Sequence, residues 1–536
     1  MHPCLSVDEI VRLIAYELVA SQGRATAVAL ACCCKSFEDP VLDTLWETQG
    51  HFLPLIKSLP GDVWNPGGYN VGVSTTSVSN LFLFNSLSRK SFRRLPTKLE
   101  WARFRKYARR MRKFQPHVIL DSLTSQVLPV LQSRAFSEPL LPNLKTLKLW
   151  SATGDLIPFI PLFLSPGTTV INIEFTTSGL PEVVTASMIT TLPTLCPNLQ
   201  KIMLYPLPRG PVITAAVSEL LLTIDRDSIR SFHVDSLLTE EAREMVYKLP
   251  NLCELMVVID GPTLLPTLVL PNLTEIDVEY DRDCGWLQGF RGATFGKLAS
   301  VTIRSESSSI GDFLEAFKSV ALTTSTPETL STFGFYTSSP WRPNYRSLLP
   351  FTQLKELIVE FSCVGGCSST IDDDVITDLA RTMPKLETLH FGEEPCKTPT
   401  GVTAKGLAAL AYYCPRLTAL RIHFQVASFD PVITSGGGST IPWEDCALTD
   451  LDVGDISLPE VSALMVALTL LRIFPRLDCI QYRNMGWEQV ANAITHSKWL
   501  ADRSSKKHLF ATLRSNIDDA SPRRRTRGRY PIVKCA

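Results

Sequence analysis

An excess of either charge is missing from this chain. Its 53 Lys and Arg balance 53 Asp and Glu, so the formal net charge at pH 7 is +0. No global field draws it to nucleic acid or acidic lipid. A long apolar run is missing too. The most apolar stretch, Val461 to Leu471, ends at Arg472 and covers about half a bilayer span. A buried helix is expected there, with no membrane partner. Asp8 and Glu9 fall within the first ten residues, with no apolar h-region, which argues against a secretory signal. Catalytic signatures are also lacking. There is no phosphate-cradling Gly-rich loop, no H-E-x-x-H and no G-x-S-x-G, and the 8 histidines are scattered. Asp372-Asp373-Asp374 sits where a helix should begin, and charge complementing the helix dipole is its simplest role. No enzyme, cofactor or metal is therefore expected.

The 14 cysteines, without a signal, point to reduced thiols in cytoplasm or nucleus. Cys363 and Cys367 lie near His390 and Cys396, but the pairing spacing is poor for zinc. Buried cysteines behaving as small apolar residues are expected instead.

What the chain does have is a recurring frame. Pro384-Lys385-Leu386-Glu387-Thr388-Leu389-His390-Phe391 is matched by the stretches starting at Pro142, Pro271 and Pro415. Thirteen copies follow this spacing, with first apolar residues Leu144, Val170, Leu199, Ile229, Leu252, Leu273, Leu298, Leu330, Leu354, Leu386, Leu417, Leu448 and Leu477. Seven carry Pro two residues earlier; with 37 Pro in 536 residues, chance supplies about one. The last two apolar positions sit at i and i+2, so both face one side of a short strand. Proline suits the strand's first residue, where a donor is dispensable. A unit of 21 to 32 residues cannot bury its own apolar edge, whereas stacked units share a core. The pattern is the leucine-rich-repeat signature, without the usual Asn or Cys after the third Leu. It implies an α/β fold, an open, curved solenoid over residues 141–485, with capping helices at 486–513 and a basic tail at 514–536.

Within each frame the fifth position alternates with two inward ones and faces out. That row is Lys148, Glu174, Met203, His233, Met256, Asp277, Thr302, Gly334, Ile358, His390, Arg421, Asp452 and Gln481. Met203, His233, Met256, Ile358, His390, Arg421 and Asp452 are the candidate contacts to a target protein. The inserts Pro206–Pro211, Cys284–Phe295, Phe361–Asp372 and Ala427–Pro442 would shape the site from the strand ends.

Residues 4–50 read as a separate module. Ser6 and Glu9 fit a capping box, and Val7, Ile10, Ile14 and Leu18 make one helical stripe. Gly23 breaks that helix. Ala25, Val28, Ala29 and Cys32 form a second stripe, and Asp39-Pro40 fits the start of a third helix. Leu5-Ser6-Val7-Asp8-Glu9-Ile10, Ala29 to Phe37 and Pro40 to Trp46 together resemble the F-box, with Ser6 in place of the family's Pro. Leu55 to Trp64 is similar to the large F-box family of basidiomycete fungi. The resemblance implies a three-helix F-box docking on the Skp adaptor, and through it on a cullin–RING ubiquitin ligase. The adaptor contacts would be Leu5, Ile10, Ile14, Leu30, Cys34, Lys35, Leu42, Leu45 and Trp46. A plain helical cap on the solenoid is the alternative.

Residues 51–140 link the two parts. Arg89 to Lys113 holds twelve Lys or Arg and one acid, Glu100. Trp101, Phe104, Ala108 and Met111 share one helical face. A nucleic-acid surface is weighed here against packing of the aromatic stripe on the first repeat, and the packing reading is preferred. The function expected is a substrate receptor of an SCF-type ubiquitin ligase. The alternative is a repeat scaffold or nucleic-acid-associated adaptor without a ligase.

Overall fold

The computed structural model describes residues 7–21, 23–65, 91–116, 127–134, 138–176, 179–259, 270–280, 296–305, 326–337, 345–361, 371–392, 401–426, 445–454, 456, 458 and 463–498. Leu5, Ser6, Cys363, Cys367, Cys396, the inserts Cys284–Phe295 and Ala427–Pro442, residues 362–370 of the third insert and the basic tail lie outside them. The chain forms two compact units, residues 1–367 and 368–536. Among the described residues no helix is long and apolar enough to cross a membrane.

The first unit begins with three helices, α1 (Asp8–Ala20), α2 (Arg24–Cys33) and α3 (Lys35–Glu47). Asp8 and Glu9 occupy the first turn of α1 and complement its dipole. The N-cap is Val7, which has no side-chain oxygen to offer, so a Ser6–Glu9 box is not the start of this helix. Gly23 closes α1 by donating its N–H to Leu18 O at 2.7 Å. A Cβ at Gly23 would lie 2.9 Å from that oxygen, so no side chain fits. The core is Val11, Ala15, Ala27, Ala31, Phe37, Val41 and Leu45. Three alanines among them let the helices approach closely.

The structure departs from the sequence pattern in each of these helices. The buried stripe of α1 is Val11 and Ala15, while Val7 and Ile14 are exposed. In α2 the buried residues are Ala27 and Ala31, and Ala25, Val28, Ala29 and Cys32 face solvent. Helix α3 starts at Lys35, with Pro40 inside it. Proline there removes a backbone donor. Burial of Phe37, Pro40, Val41 and Leu45 on one face outweighs that loss.

Helix α4 (Lys98–Ala108) opens with a true capping box between Thr97 and Glu100. Its stripe packs as the spacing predicts: Phe104, Ala108 and Met111 are fully buried, and Trp101 stacks on Phe104 at 4.7 Å between centroids.

A parallel ladder then runs through the unit. Its strands are β1 (Thr48–Gln49), β2 (Lys113–Phe114), β3 (Thr146–Ala152), β4 (Val170–Phe175), β5 (Lys201–Tyr205), β6 (Ser231–Val234), β7 (Glu254–Ile259), β8 (Glu275–Tyr280), β9 (Ser300–Ser305), β10 (Thr332–Thr337) and β11 (Glu356–Phe361). Each pairs in parallel with the next. The ladder therefore begins at Thr48, well before residue 141. The three apolar positions of a frame are its buried anchors; Leu144, Leu147 and Leu149 are at most 2% exposed. Helices α5 (Glu182–Leu195), α6 (Pro211–Thr223) and α7 (Glu240–Val246) connect strands and bury apolar residues of their own.

One frame is misplaced by the sequence pattern. Ile171 pairs with Leu147, so the anchor matching Leu144 is Thr168, not Val170. Thr168 is fully buried. Its hydroxyl accepts from Ser165 N–H at 3.1 Å and lies 3.2 Å from Leu144 O, to which it donates. Val170 is only half-buried. The outward residue of this strand is Asn172, opposite Lys148 and Met203, and Glu174 belongs to the next row.

An asparagine ladder exists after all, at a different position. The Asn after the frame's Pro donates its side-chain amide to the preceding repeat. Asn143 reaches Arg109 O at 2.7 Å, Asn251 reaches Asp227 O at 2.9 Å and Asn272 reaches Pro250 O at 3.1 Å.

The second unit repeats the scheme. Helices α8 (Asp373–Thr382), α9 (Ala404–Tyr413) and α10 (Ala463–Ile473) accompany parallel strands β12 (Thr388–Phe391), β13 (Ala419–Ile422), β14 (Asp450–Asp452) and β15 (Cys479–Gln481). Asp372 is the N-cap of α8, accepting from Val375 N–H at 2.9 Å. Residues 487–498 are helical. Trp487 is buried there and donates its indole N–H to Ile456 O at 2.8 Å.

Candidate functional site

Two surfaces of the first unit leave distinctive side chains accessible. The first is the outer side of the N-terminal helices. Leu13 is 65% exposed, Tyr16 60% and Val28 51%, and Val7 and Ile14 are also exposed. On α1, Ile10, Leu13 and Ile14 lie within one turn of each other, so they form one apolar stripe. Beside it, Leu13 and Tyr16 line a cleft with Arg12, Asp43, Arg109 and Arg110. Arg12 pairs with Asp43 at 3.1 Å, tying α1 to α3.

The residues expected to meet an adaptor are distributed unevenly. Ile10 and Ile14 flank the exposed stripe, and Lys35 is exposed. Leu45 is inside the three-helix core, so its side chain is not free to meet a partner. Leu30, Cys34, Leu42 and Trp46 pack against that core and are partly exposed. Trp46 also lies against Tyr107 of α4, at 4.8 Å. Leu13 and Tyr16 were missed. Their signal is that α1 is apolar on more sides than one buried stripe requires.

The basic residues of α4 and its C-terminal extension turn toward carboxylates. Arg110 binds Asp39 and Asp43 of α3, and the Arg110 guanidinium holds the Asp39 carboxyl below its ordinary range. Lys106 meets Glu38 at 3.3 Å, and Arg105 meets Glu138 at 3.3 Å. Arg94 binds both Asp62 and Glu100 at 2.7 Å. With the Thr97 N–H, it brings the Glu100 carboxyl down to about 2. These cations anchor the helix to α3 and the linker.

The second surface is the outward side of the strands. Its central row runs Lys148, Asn172, Met203, His233, Met256, Asp277, Thr302, Gly334 and Ile358 across β3 to β11. Around it Lys201 binds Glu254, which also accepts from Ser231 Oγ at 2.8 Å. Arg304 reaches Asp277 at 2.7 Å and lies over the Tyr336 ring. Burial lowers His233 to about 4, with Glu254 opposing the shift and Lys201 adding to it. Burial also raises Asp235, Glu275, Asp277 and Glu279.

In the second unit the corresponding row is His390, Arg421, Asp452 and Gln481. Arg421 lies 3.4 Å from Asp452, whose other oxygen accepts from Gly454 N–H at 2.8 Å. Burial raises the thiols of Cys196 and Cys414, to about 11 and about 12. Among the described residues, no group of three or more His, Cys, Asp or Glu is placed to hold a metal ion.

No protein-family model matches the sequence, and no curated protein is significantly similar to it.

Proposed function

We propose that this chain is a substrate receptor of an SCF-type cullin–RING ubiquitin ligase. The N-terminal helices dock on the Skp adaptor, and the outward strand face holds a target protein. The observation that carries this reading is the uncovered apolar stripe of α1, around Leu13 and Ile14. A soluble chain that leaves such residues together in the open has a partner for them. The resemblance of Ala29 to Phe37 and Pro40 to Trp46 to the F-box supplies the identity of that partner. The strands would then belong to a curved leucine-rich-repeat solenoid. No residue performs bond chemistry on this reading; the chain raises the target's effective concentration near a ubiquitin-charged enzyme. The reducing cytoplasm or nucleus fits its free thiols.

The test is co-expression of the full chain with the Skp adaptor, followed by affinity capture. Leu13→Asp with Ile14→Asp should abolish capture and leave the melting temperature unchanged, since both side chains are outside the core. Failure of the parent chain to capture the adaptor, or equal capture by the double variant, would replace this reading with a repeat scaffold lacking a ligase.

A further inference from the structure

We infer that the outward strand face between Asn172 and Arg304 binds a Lys- or Arg-rich segment of the target protein; this rests on the receptor reading above and names the class of target. The chain as a whole is neutral, but this face is not. On strands β7 and β8, Glu254, Glu275, Asp277 and Glu279 take outward positions, and Asp235 directly follows β6, close enough for its charge to act on Glu279. The cations that reach them are Lys201, Arg209 and Arg304. Carboxylates are in excess, and Glu275 stands directly beside Glu254 on the neighbouring strand. Like charges side by side on a sheet destabilise it. Burial raises the Glu275 carboxyl, and Glu254 and Asp277 raise it further.

A second observation is independent of charge. Four buried polar atoms on this face make no hydrogen bond: Asn172 Oδ1, His233 Nε2, Asp235 Oδ1 and Asp277 Oδ1. Asn172 is 7% exposed and His233 9%. The three oxygens are acceptors; His233 Nε2 lies 3.6 Å from Glu254 Oε2, too far for a hydrogen bond. The face is short of donors, and each orphaned acceptor carries a desolvation cost. Ammonium and guanidinium groups bring donors only.

The spacing suits an extended polycation. Asn172, His233 and Asp277 occupy every second strand, with Met203 and Met256 between them. Neighbouring strands lie roughly 4.8 Å apart, so these polar positions recur at roughly 9.6 Å, about three residues of extended chain. Methionine is a soft surface for the aliphatic stems of Lys and Arg. A single metal cation is not favoured, since no ligand group of three converges among the described residues. A nucleic acid would be repelled by the same carboxylates.

The probe is a fluorescein-labelled peptide with Arg at every third residue and Ala between, titrated with the full chain and followed by anisotropy. Its control has Glu in place of Arg. The Arg peptide should bind and the Glu peptide should not, and salt at about 0.3 M should weaken binding. Glu275→Gln with Glu279→Gln should weaken it at least tenfold, with melting unchanged or higher. The off-face pair Glu240→Gln with Glu241→Gln removes the same charge from α7 and should change nothing. Met256→Lys places a cation in the row and should weaken binding without removing a carboxylate. No binding of the Arg peptide, or equal loss from the on-face and off-face pairs, overturns the inference. Adaptor capture is measured on the same preparations. Capture without peptide binding overturns this inference alone; peptide binding without capture overturns the ligase reading and leaves the basic-segment site standing.

Discussion

Asp373 caps the helix that follows its own. Its carboxylate accepts from Gly406 N–H at 2.9 Å, from Thr403 N–H at 2.8 Å and from the Thr403 hydroxyl at 2.6 Å. Asp372, one residue earlier, caps α8 itself. Two adjacent acids thus serve two successive repeats, and Asp374 lies in the first turn of α8, where it complements the helix dipole.

This arrangement predicts a matched pair of effects. Asp373→Ala leaves the N–H groups of α9 without their acceptor and should cost roughly 1–3 kcal/mol. Gly406→Ala should cost a similar amount, because its Cβ would lie 2.5 Å from Asp373 Oδ1 and 3.1 Å from Val402 Cγ1. The double variant should lose less than the two singles together, since one contact underlies both. Urea unfolding of the full chain, following the second unit, measures all three. Strict additivity would show that the cap and the glycine are unrelated.

The asparagine ladder gives the next expectation. Asn251 and Asn272 each hold a carbonyl of the preceding repeat. Asn251→Ala with Asn272→Ala should lower stability by about 1–3 kcal/mol, at roughly 0.5–1.5 for each bond. An Asn143→Ala variant should behave like either single. Thermal melts showing no change for the double variant would mean that these bonds only replace bonds to water.

These two features also show how far the sequence could be read. The i, i+2 alternation after each Leu located strands such as Thr388–Phe391 and Glu275–Tyr280, because burial on one face leaves a period-two trace. It failed at Thr168, where a hydroxyl satisfied by Leu144 O takes the place of an apolar anchor. No hydropathy pattern can see that residue. It also failed at Lys113–Phe114, whose frame runs into Pro116 and lacks the third apolar residue. The Pro-Asn dipeptide was visible, but its amide reaches across sequence separations such as Asn251 to Asp227, so its role needed the stacking. On the binding face, the individual carboxylates were legible and their convergence was not. Glu275, Asp277 and Glu279 alternate on one strand, but Glu254 comes beside Glu275 only through the pairing of β7 with β8.

His233 gives the strand face a pH dependence with a definite sign. Its folded value, about 4, is below the ordinary 6.5, so the unfolded chain binds this proton more readily. Stability contributed by the neutral imidazole is full above pH 6.5 and falls as pH drops toward 4, by roughly 3 kcal/mol at most. The raised carboxylates of Asp235, Glu275, Asp277 and Glu279 act oppositely: the folded state takes up their protons first, which favours it as acid is added. Subtracting the unfolding curve of His233→Gln from that of the parent, between pH 7 and pH 4, isolates the imidazole. A difference that does not shrink on acidification would show that His233 is not held neutral.

Cysteine reactivity offers a direct test of the proposed adaptor contact. Cys34 is partly exposed at the junction of α2 and α3. A hydrogen bond with the Ser36 hydroxyl, at 3.0 Å, favours its thiolate and lowers its pKa. Cys196, Cys414 and Cys446 are buried with raised values. The thiolate is the nucleophile, so iodoacetamide should alkylate Cys34 of the native chain well before those three. The segment around Cys34 and Lys35 is one that the F-box resemblance places against the adaptor. Bound adaptor should therefore slow alkylation of Cys34 at least tenfold, while Cys253, half-buried at the start of β7, should keep its rate. Peptide mass spectrometry at timed quenches separates the sites. Protection of Cys34 and Cys253 alike would indicate general shielding, and an unprotected Cys34 in a stable complex would move the contact to the Leu13 and Tyr16 side of α1.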